Sequence, residues 1–120
     1  MEGRKFDLEA RTLEYAKRIL RMTKALPKDD PNRYYCDQCL RSSSSVGANY
    51  REANDALGKK DFIHRLRISR KEAKESVYWI KLIMEHNHSM KERIAPLLQE
   101  AIELRNILSS IINKTQDNNN

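Results

Sequence analysis

The chain has 120 residues and a formal net charge of +6, with 23 lysines and arginines against 17 acids. The length fits one domain, and 39% hydrophobic residues with only three glycines and three prolines is typical of a helical protein. No apolar run approaches the ~20 residues of a membrane span, and the N-terminus lacks the apolar core of a signal peptide. We therefore expect a cytoplasmic protein with reduced cysteines, whose positive charge favours acidic partners such as nucleic acid without requiring them.

The first predicted helix runs from about Asp7, as N-cap, to about Ala25. Its core-facing side chains recur at alternating steps of four and three residues, which is typical of a bundle helix. Pro27 and Pro31 then bracket a turn. The core stripe consists of Leu8, Thr12, Tyr15, Ile19, Met22 and Leu26.

Three further helices follow at short intervals. The second covers roughly residues 32–56 and ends at Gly58, which we expect to adopt a left-handed cap conformation. The third runs from about 59 to 86. Ser89 and Glu92 form a capping box for the fourth.

The fourth helix contains Pro96, so we expect either a kink there or a helix that begins nearer Ile94. Four amphipathic segments with short connections predict an all-α fold, an antiparallel up-down-up-down four-helix bundle. Residues 1–114 form this single domain, and residues 115–120 are expected to be a disordered tail.

Four consecutive serines, Ser42 to Ser45, lie in the middle of the second helix. Serine is a mediocre helix former because its hydroxyl competes for backbone partners, so we interpret the run as a sign of close helix packing. If the chain reverses near Leu57, facing residue numbers of helices two and three sum to about 115, and the two axes approach to ~8 Å. Small residues then meet at successive levels: Ser42 with Ala73, Val46 with Ser69, and Cys39 with Ser76.

The same register predicts a partly buried ion pair. Arg41 lies level with Glu72 and Glu75, which are beside the core stripe of helix three. Because a buried carboxylate needs a charged partner, we expect Arg41, the cation at the same level, to pair with these two acids.

The residues of helices two and three resemble the four-helix-bundle protein family that is encoded in intervening sequences of bacterial large-subunit ribosomal RNA genes. That family looks related to the accessory protein of diversity-generating retroelements, a pentamer that binds nucleic acid and a reverse transcriptase. The resemblance implies a homo-oligomer, a pentamer by analogy, with RNA or DNA as partner, and by the same analogy a reverse transcriptase. The matching elements are Leu26-Pro27, Gln38, Arg41-Ser42, Ser45-Val46, Ala48-Asn49-Tyr50, Glu52-Ala53, Lys60-Asp61-Phe62, Lys71-Glu72-Ala73, Glu75 and Tyr78-Trp79.

The candidate nucleic-acid-binding residues follow a four-three step on helix three, opposite its core stripe: Lys60, His64, Arg67, Lys71 and Lys74, with Tyr78 next. A solvated helix face is the alternative interpretation. Lys59 and Lys60, however, are at the positive end of the helix dipole, where cations are disfavoured, and phosphate contact would offset that cost. Arg41, Arg51 and Arg65 are candidates to widen the patch. No aromatic stacking platform is evident, so we expect salt-sensitive binding that ignores base sequence.

A polar strip on helix two, here called the α2 strip, is predicted to be the oligomer interface. Exposed Tyr34, Tyr35 and Tyr50 fit such an interface, and a ligand groove is the alternative. The strip consists of Gln38, Ser45, Asn49 and Glu52.

No catalytic residue, metal or cofactor is predicted. Cys36 and Cys39 form a lone CxxC, whereas a structural zinc site has four ligands. His86 and His88 lie at the same end of the bundle and could complete a Cys2His2 set, but Cys39 lies on the core stripe. The serine run is not a nucleophile elbow, which needs a strand-to-helix turn with flanking glycines.

Overall fold

The computed structural model describes the backbone of residues 2–117 and the side chains from Leu8 onward. Each helix packs against its neighbours in sequence, α2 and α3 most closely, while α1 and α4 close the ring more loosely. This is the predicted antiparallel up-down-up-down bundle. None of the helices described is apolar over a stretch long enough to cross a membrane. The helices are α1 (Glu2–Ala25), α2 (Asp30–Asn54), α3 (Lys59–His86) and α4 (Lys91–Asp117).

The core is built from the predicted stripes. All six residues of the α1 stripe are buried. The apolar and small residues at the same four-three spacing further along the chain are buried as well, apart from half-buried Phe62, Met90 and Ile111. They are Phe62, Leu66, Ser69, Ala73, Ser76, Ile80 and Ile83 on α3, and Met90, Ile94, Leu97, Ala101, Leu104, Leu108 and Ile111 at and along α4. At the centre, the Tyr15 hydroxyl lies 2.7 Å from Ser76 Oγ and links the diagonal pair α1 and α3. Burial raises the pKa of Tyr15, so the phenol stays neutral at physiological pH.

Two predicted helix ends are wrong. Helix α1 begins at Glu2, so Asp7 is an internal position rather than an N-cap. Gly58 has an extended backbone with φ 177°, not a left-handed one, and directly precedes α3. Leu57 is fully exposed in this turn. The apolar spacing predicts where a helix lies, but a cap depends on local hydrogen bonds that spacing does not encode.

The other end of the bundle is closed by a pair of buried amides. Asn32 and Asn87 each donate a side-chain N–H to the carbonyl of the other, at 2.9 and 2.7 Å. Asp29 caps α2 by accepting the backbone N–H of Asn32 at 3.0 Å, and this bond lowers the pKa of Asp29. Two reciprocal hydrogen bonds between buried groups therefore join the first turn of α2 to the end of α3.

Helix α4 also departs from expectation at both ends. It begins at Lys91, after a short 3-10 turn from His88 to Met90, and it runs without a break through Pro96. Neither a start near Ile94 nor a Ser89 cap is found. The helix continues to Asp117, so residues 115–117 of the predicted tail are helical, and residues 118–120 lie outside the described part.

The register of α2 against α3 is the one obtained by counting. Ser69 Oγ donates to the backbone carbonyl of Val46 at 2.7 Å, which is one of the three predicted facing pairs. Ser42, Ala73 and Ser76 are also completely buried. A side-chain hydroxyl can reach the backbone of the facing helix only if the two helices lie close together, as the small residues predicted.

The four serines of α2 have different surroundings. Ser42 and Ser43 are buried, Ser45 is half-buried and Ser44 is exposed. Each hydroxyl donates to a carbonyl of the preceding helical turn, at 2.8 to 3.4 Å. Crowding therefore accounts for Ser42 and Ser43, and it does not account for Ser44.

Helix α1 also approaches α2 closely, at Gly47. A Cβ atom placed on Gly47 would lie 2.8 Å from Thr12 Oγ1 and 3.1 Å from Thr12 Cβ. Both distances are shorter than ordinary van der Waals contact between such atoms. The glycine is needed here for its lack of a side chain and not for its backbone freedom.

Candidate nucleic-acid interface

A continuous row of basic side chains runs along the solvent face of α3. We call it the basic stripe, and every member is exposed. At 1.5 Å per residue it extends for about 30 Å, on a molecule whose longest dimension is 50 Å. Lys81, the last cation of the stripe, was not among the residues predicted from the sequence, although it continues the same four-three step. The stripe comprises Lys60, His64, Arg67, Lys71, Lys74, Tyr78 and Lys81.

The lysines and the arginine of the stripe have no acidic partner. Among the side chains of residues 8–117, no carboxylate oxygen lies within 4.0 Å of their cationic nitrogens. The three arginines that might have widened the stripe are paired instead. Arg41 contacts Glu72, Arg51 lies 3.3 Å from Glu9, and Arg65 lies 3.9 Å from Asp61. The arginines that could have widened the stripe therefore add no uncompensated positive charge beside it.

The N-terminal end of the stripe is the most positive part. Lys59, Lys60 and Arg67 line a cleft of about 400 Å³ together with Ile63 and Gln116. The preceding Gly58 supplies no side-chain cap, so the positive end of the α3 dipole adds to the field of the cations. A polyanion would meet its strongest attraction here.

The predicted ion pair is present on the neighbouring edge of α3. Arg41 Nη1 lies 3.3 Å from Glu72 Oε1, and Arg41 Nη2 contacts Glu75 Oε2. Glu72 is 8% exposed, whereas the Arg41 side chain is 48% exposed. Solvent screens a pair with one half-exposed member, so we expect it to stabilise the fold by ~1 kcal/mol.

Four aromatic rings meet at the C-terminal part of the stripe, where the sequence had suggested no stacking platform. Trp79 is at the centre, and its ring centroid lies 5.1 Å from Tyr78, 5.7 Å from Tyr34 and 6.2 Å from Tyr35. The residue spacing gave no indication of this cluster because Tyr34 and Tyr35 belong to α2 and reach Trp79 only through tertiary packing. We call Tyr34, Tyr35, Tyr78 and Trp79 the aromatic group.

The α2 strip lies beside the Arg41 ion pair. Gln38, Ser45 and Asn49 are half-buried, and Glu52 is exposed. Ser45 and Asn49 donate to carbonyls of their own helix, at 2.8 and 2.9 Å. A single chain does not test whether this strip joins copies, so that role stays a prediction.

Tyr50 is not the exposed interface residue that was expected. It is 8% exposed and belongs to the core. It lies one helical turn from Gly47 on the side of α2 that packs against α1, because residues three apart share a helix face.

A network of charges that the sequence did not suggest joins α1 to α4. Arg11 binds both carboxylate oxygens of Glu100, at 2.7 and 2.9 Å, and Glu103 at 2.7 Å. The Glu100 contact raises the pKa of Arg11. Gln99 and Arg11 together hold the pKa of Glu103 below its usual range. These charges connect the helix pair that packs most loosely, and no spacing rule predicts them.

Among residues 8–117 the two cysteines are not brought together with other metal-binding side chains. Both are buried, and burial raises the pKa of Cys36 and raises that of Cys39 to about 12, so neither is a thiolate at neutral pH. His86 contacts Asp29 at 3.1 Å rather than either cysteine. Within residues 8–117 no three His, Cys, Asp or Glu side chains converge in a way that could hold a metal ion.

The sequence and the fold both match known proteins. The model of the family described as 23S rRNA-intervening sequence protein matches residues 4–110. The chain is similar to a crystal structure from Bacteroides thetaiotaomicron, of a protein with unknown function from the S23 ribosomal protein family. The two share 34% identity with a TM-score of 0.79, over 88% of this chain and 97% of the other. Among curated proteins none matches.

Proposed function

Because this chain belongs to the 23S rRNA-intervening sequence protein family, we propose that it is a cytoplasmic nucleic-acid-binding protein that acts without catalysis. The observation that carries the proposal is the basic stripe, an exposed row of cations on α3 without acidic partners among the side chains of residues 8–117. The family description names a ribosomal RNA, which makes RNA the first polymer to test.

The stripe is unfavourable for the isolated bundle. Like charges three and four residues apart repel one another by some tenths of a kcal/mol per pair on a helix, and Lys60 also opposes the helix dipole. Bound phosphate groups would offset both the repulsion between the cations and the unfavourable helix dipole. The counterions that are condensed on the nucleic acid would also be released into solution. Contacts from lysine and arginine to phosphate groups fix the position of the polymer and carry no sequence information.

We further propose that the protein forms a homo-oligomer through the α2 strip. Gln38, Ser45 and Asn49 are half-buried polar side chains and Glu52 is exposed, so the strip offers polar surface that a second copy could cover. Copies joined through it would present several stripes to one polymer. Such multivalency raises the overall affinity without any new kind of contact.

The proposal is tested by titrating a fluorescein-labelled RNA with the protein at increasing salt. The five cations of the stripe are Lys60, Arg67, Lys71, Lys74 and Lys81. If each neutralises one phosphate of a single strand, the slope of log K against log salt is about −3.5 per chain. Polymers of different base composition should give the same slope and similar affinities.

The competing function is a scaffold that binds only proteins and uses the stripe for solubility. Absence of RNA and DNA binding at about 50 mM salt, where phosphate contacts are strong, would favour it and contradict the proposal. Molar mass in solution, measured with and without RNA, separates the two further. The proposal predicts a heavier particle when RNA is present, whereas the scaffold keeps its mass.

A further inference from the structure

We infer that the aromatic group makes the basic stripe a site for single strands, with unpaired bases stacked on Tyr34 and Tyr78 while phosphates contact the cations. This inference rests on the proposed function and specifies the class of polymer. It is carried by three observations: how the rings are fixed, which ring surfaces remain free, and where the group lies relative to the charges.

The inner rings are held in place. Trp79 and Tyr35 pack against the core, and the Trp79 Nε1–H donates to Glu75 Oε2 at 3.3 Å. Glu75 is in turn bound by Arg41. A ring whose orientation is fixed by packing and by a hydrogen bond loses little conformational entropy when a base stacks beside it.

The outer rings leave a surface for a ligand. Tyr34 is 57% exposed and Tyr78 is 59% exposed, and both are among the most exposed large hydrophobic side chains of residues 8–117. Tyr34 meets Trp79 at 84° and Tyr78 meets it at 78°. In an edge-to-face pair, each tyrosine keeps at least one ring face that Trp79 does not cover, whichever ring supplies the edge. Every base can use such a face, because all bases have a π-surface.

The free rings are continuous with the charges. Tyr78 lies on the stripe between Lys74 and Lys81, about one helical turn, or ~5 Å, from each. A strand whose phosphates follow these lysines would bring its bases to the tyrosine. In a duplex both faces of an internal base are covered by its neighbours, so only an unpaired or flipped-out base can use the ring.

A second copy of the chain fits this surface less well. Tyr78 has a cation on either side along the helix, so a copy docked by the same surface would bring like charges together. A strand brings the opposite charge to the same place. Charge complementarity therefore favours the nucleic acid as the occupant.

The test compares a labelled oligouridylate of about 12 nucleotides with an RNA duplex of about 12 base pairs. The wild type is expected to bind the single strand more tightly. In Tyr34→Leu/Tyr78→Leu the affinity for the single strand should fall about 10- to 100-fold and that for the duplex should be unchanged, because stacking is lost and no charge is altered. Tyr34→Phe/Tyr78→Phe keeps the rings and should bind like the wild type. Trp79, the one tryptophan of the chain, should change its emission when the single strand binds.

Every other outcome of this experiment contradicts the stacking inference and also shows whether the proposed function stands. If the leucine variant binds both polymers like the wild type, or loses both equally, the stacking inference fails and the proposed function stands. If the leucine variant keeps its strand preference but changes molar mass, the aromatic group is a contact between copies and the inference also fails. If the wild type binds neither polymer, the proposed function fails, and the inference fails with it.

Discussion

Reversal of four stripe cations to glutamate should weaken RNA binding by at least about 100-fold at low salt. The variant is Lys60→Glu/Arg67→Glu/Lys71→Glu/Lys74→Glu, and all four side chains are exposed without an acidic partner among residues 8–117. It removes the phosphate contacts and replaces them with repulsion. The slope of log K against log salt should become shallower, from about −3.5 to about −0.7, which is the value for one remaining phosphate contact with a single strand. Fluorescence anisotropy at several salt concentrations measures both quantities.

The matched control reverses four exposed cations elsewhere that also have no acidic partner among residues 8–117: Lys17 and Lys24 on α1 and Lys91 and Arg93 at the start of α4. Both variants have the same net charge, so a general electrostatic effect would weaken both alike. The proposal predicts that the affinity of the control variant for RNA falls by less than about threefold. Equal losses would mean that net charge and not the stripe attracts the polymer, and no loss in either would leave the scaffold function.

Replacement of Ser42 by leucine should lower the free energy of unfolding by about 3 kcal/mol. Ser42 is completely buried, and α2 packs against α3 more extensively than any other pair of helices among the described residues. A leucine there can be accommodated only if the two helices separate. That shift would break the 2.7 Å hydrogen bond from Ser69 Oγ to the Val46 carbonyl one turn away. Urea unfolding followed by circular dichroism, at one fixed protein concentration, measures the loss.

Ser44→Leu is the control, because Ser44 belongs to the same run and is exposed. The two substitutions are chemically identical and have similar effects on helix propensity, so the difference between them reports packing alone. We expect Ser44→Leu to change stability by no more than ~0.5 kcal/mol. Equal effects of the two leucines would contradict the account of the serine run as a close contact between helices.

The register of α2 and α3 could be predicted because two independent features of the sequence fix it. A short turn forces the helices to be antiparallel neighbours, and small residues recur at matching distances from that turn. Ser69 then has to meet Val46, as it does. The Arg41 ion pair follows from the same count, since its acids are on the flank of the buried stripe of α3.

The helix caps could not be predicted equally well. The left-handed conformation expected at Gly58 is absent, and Asp29 rather than a later residue caps α2. Several residues near a helix end can satisfy the free N–H groups, and their competition is decided by local geometry. The periodic spacing of apolar residues does not show which residue is the cap, because the same spacing is compatible with a helix that begins at any of these residues.

The candidate site was predicted only in the part that lies on one helix. The cations of the stripe follow one another along α3, so their spacing shows that they share a face. The aromatic group needs Tyr34 from α2 beside Trp79 from α3. That contact depends on side-chain directions at the edge of the helix pair, and the residue numbers alone give no indication of it.

The most direct test of the central claim is a lysine-labelling footprint of the whole protein, read by mass spectrometry with and without a single-stranded RNA. We predict that Lys60, Lys71, Lys74 and Lys81 become protected when RNA is added, while Lys17 and Lys24 on the diagonally opposite helix keep their reactivity. Unchanged labelling of the stripe, or protection confined to α1, would contradict the claim that α3 holds the nucleic acid.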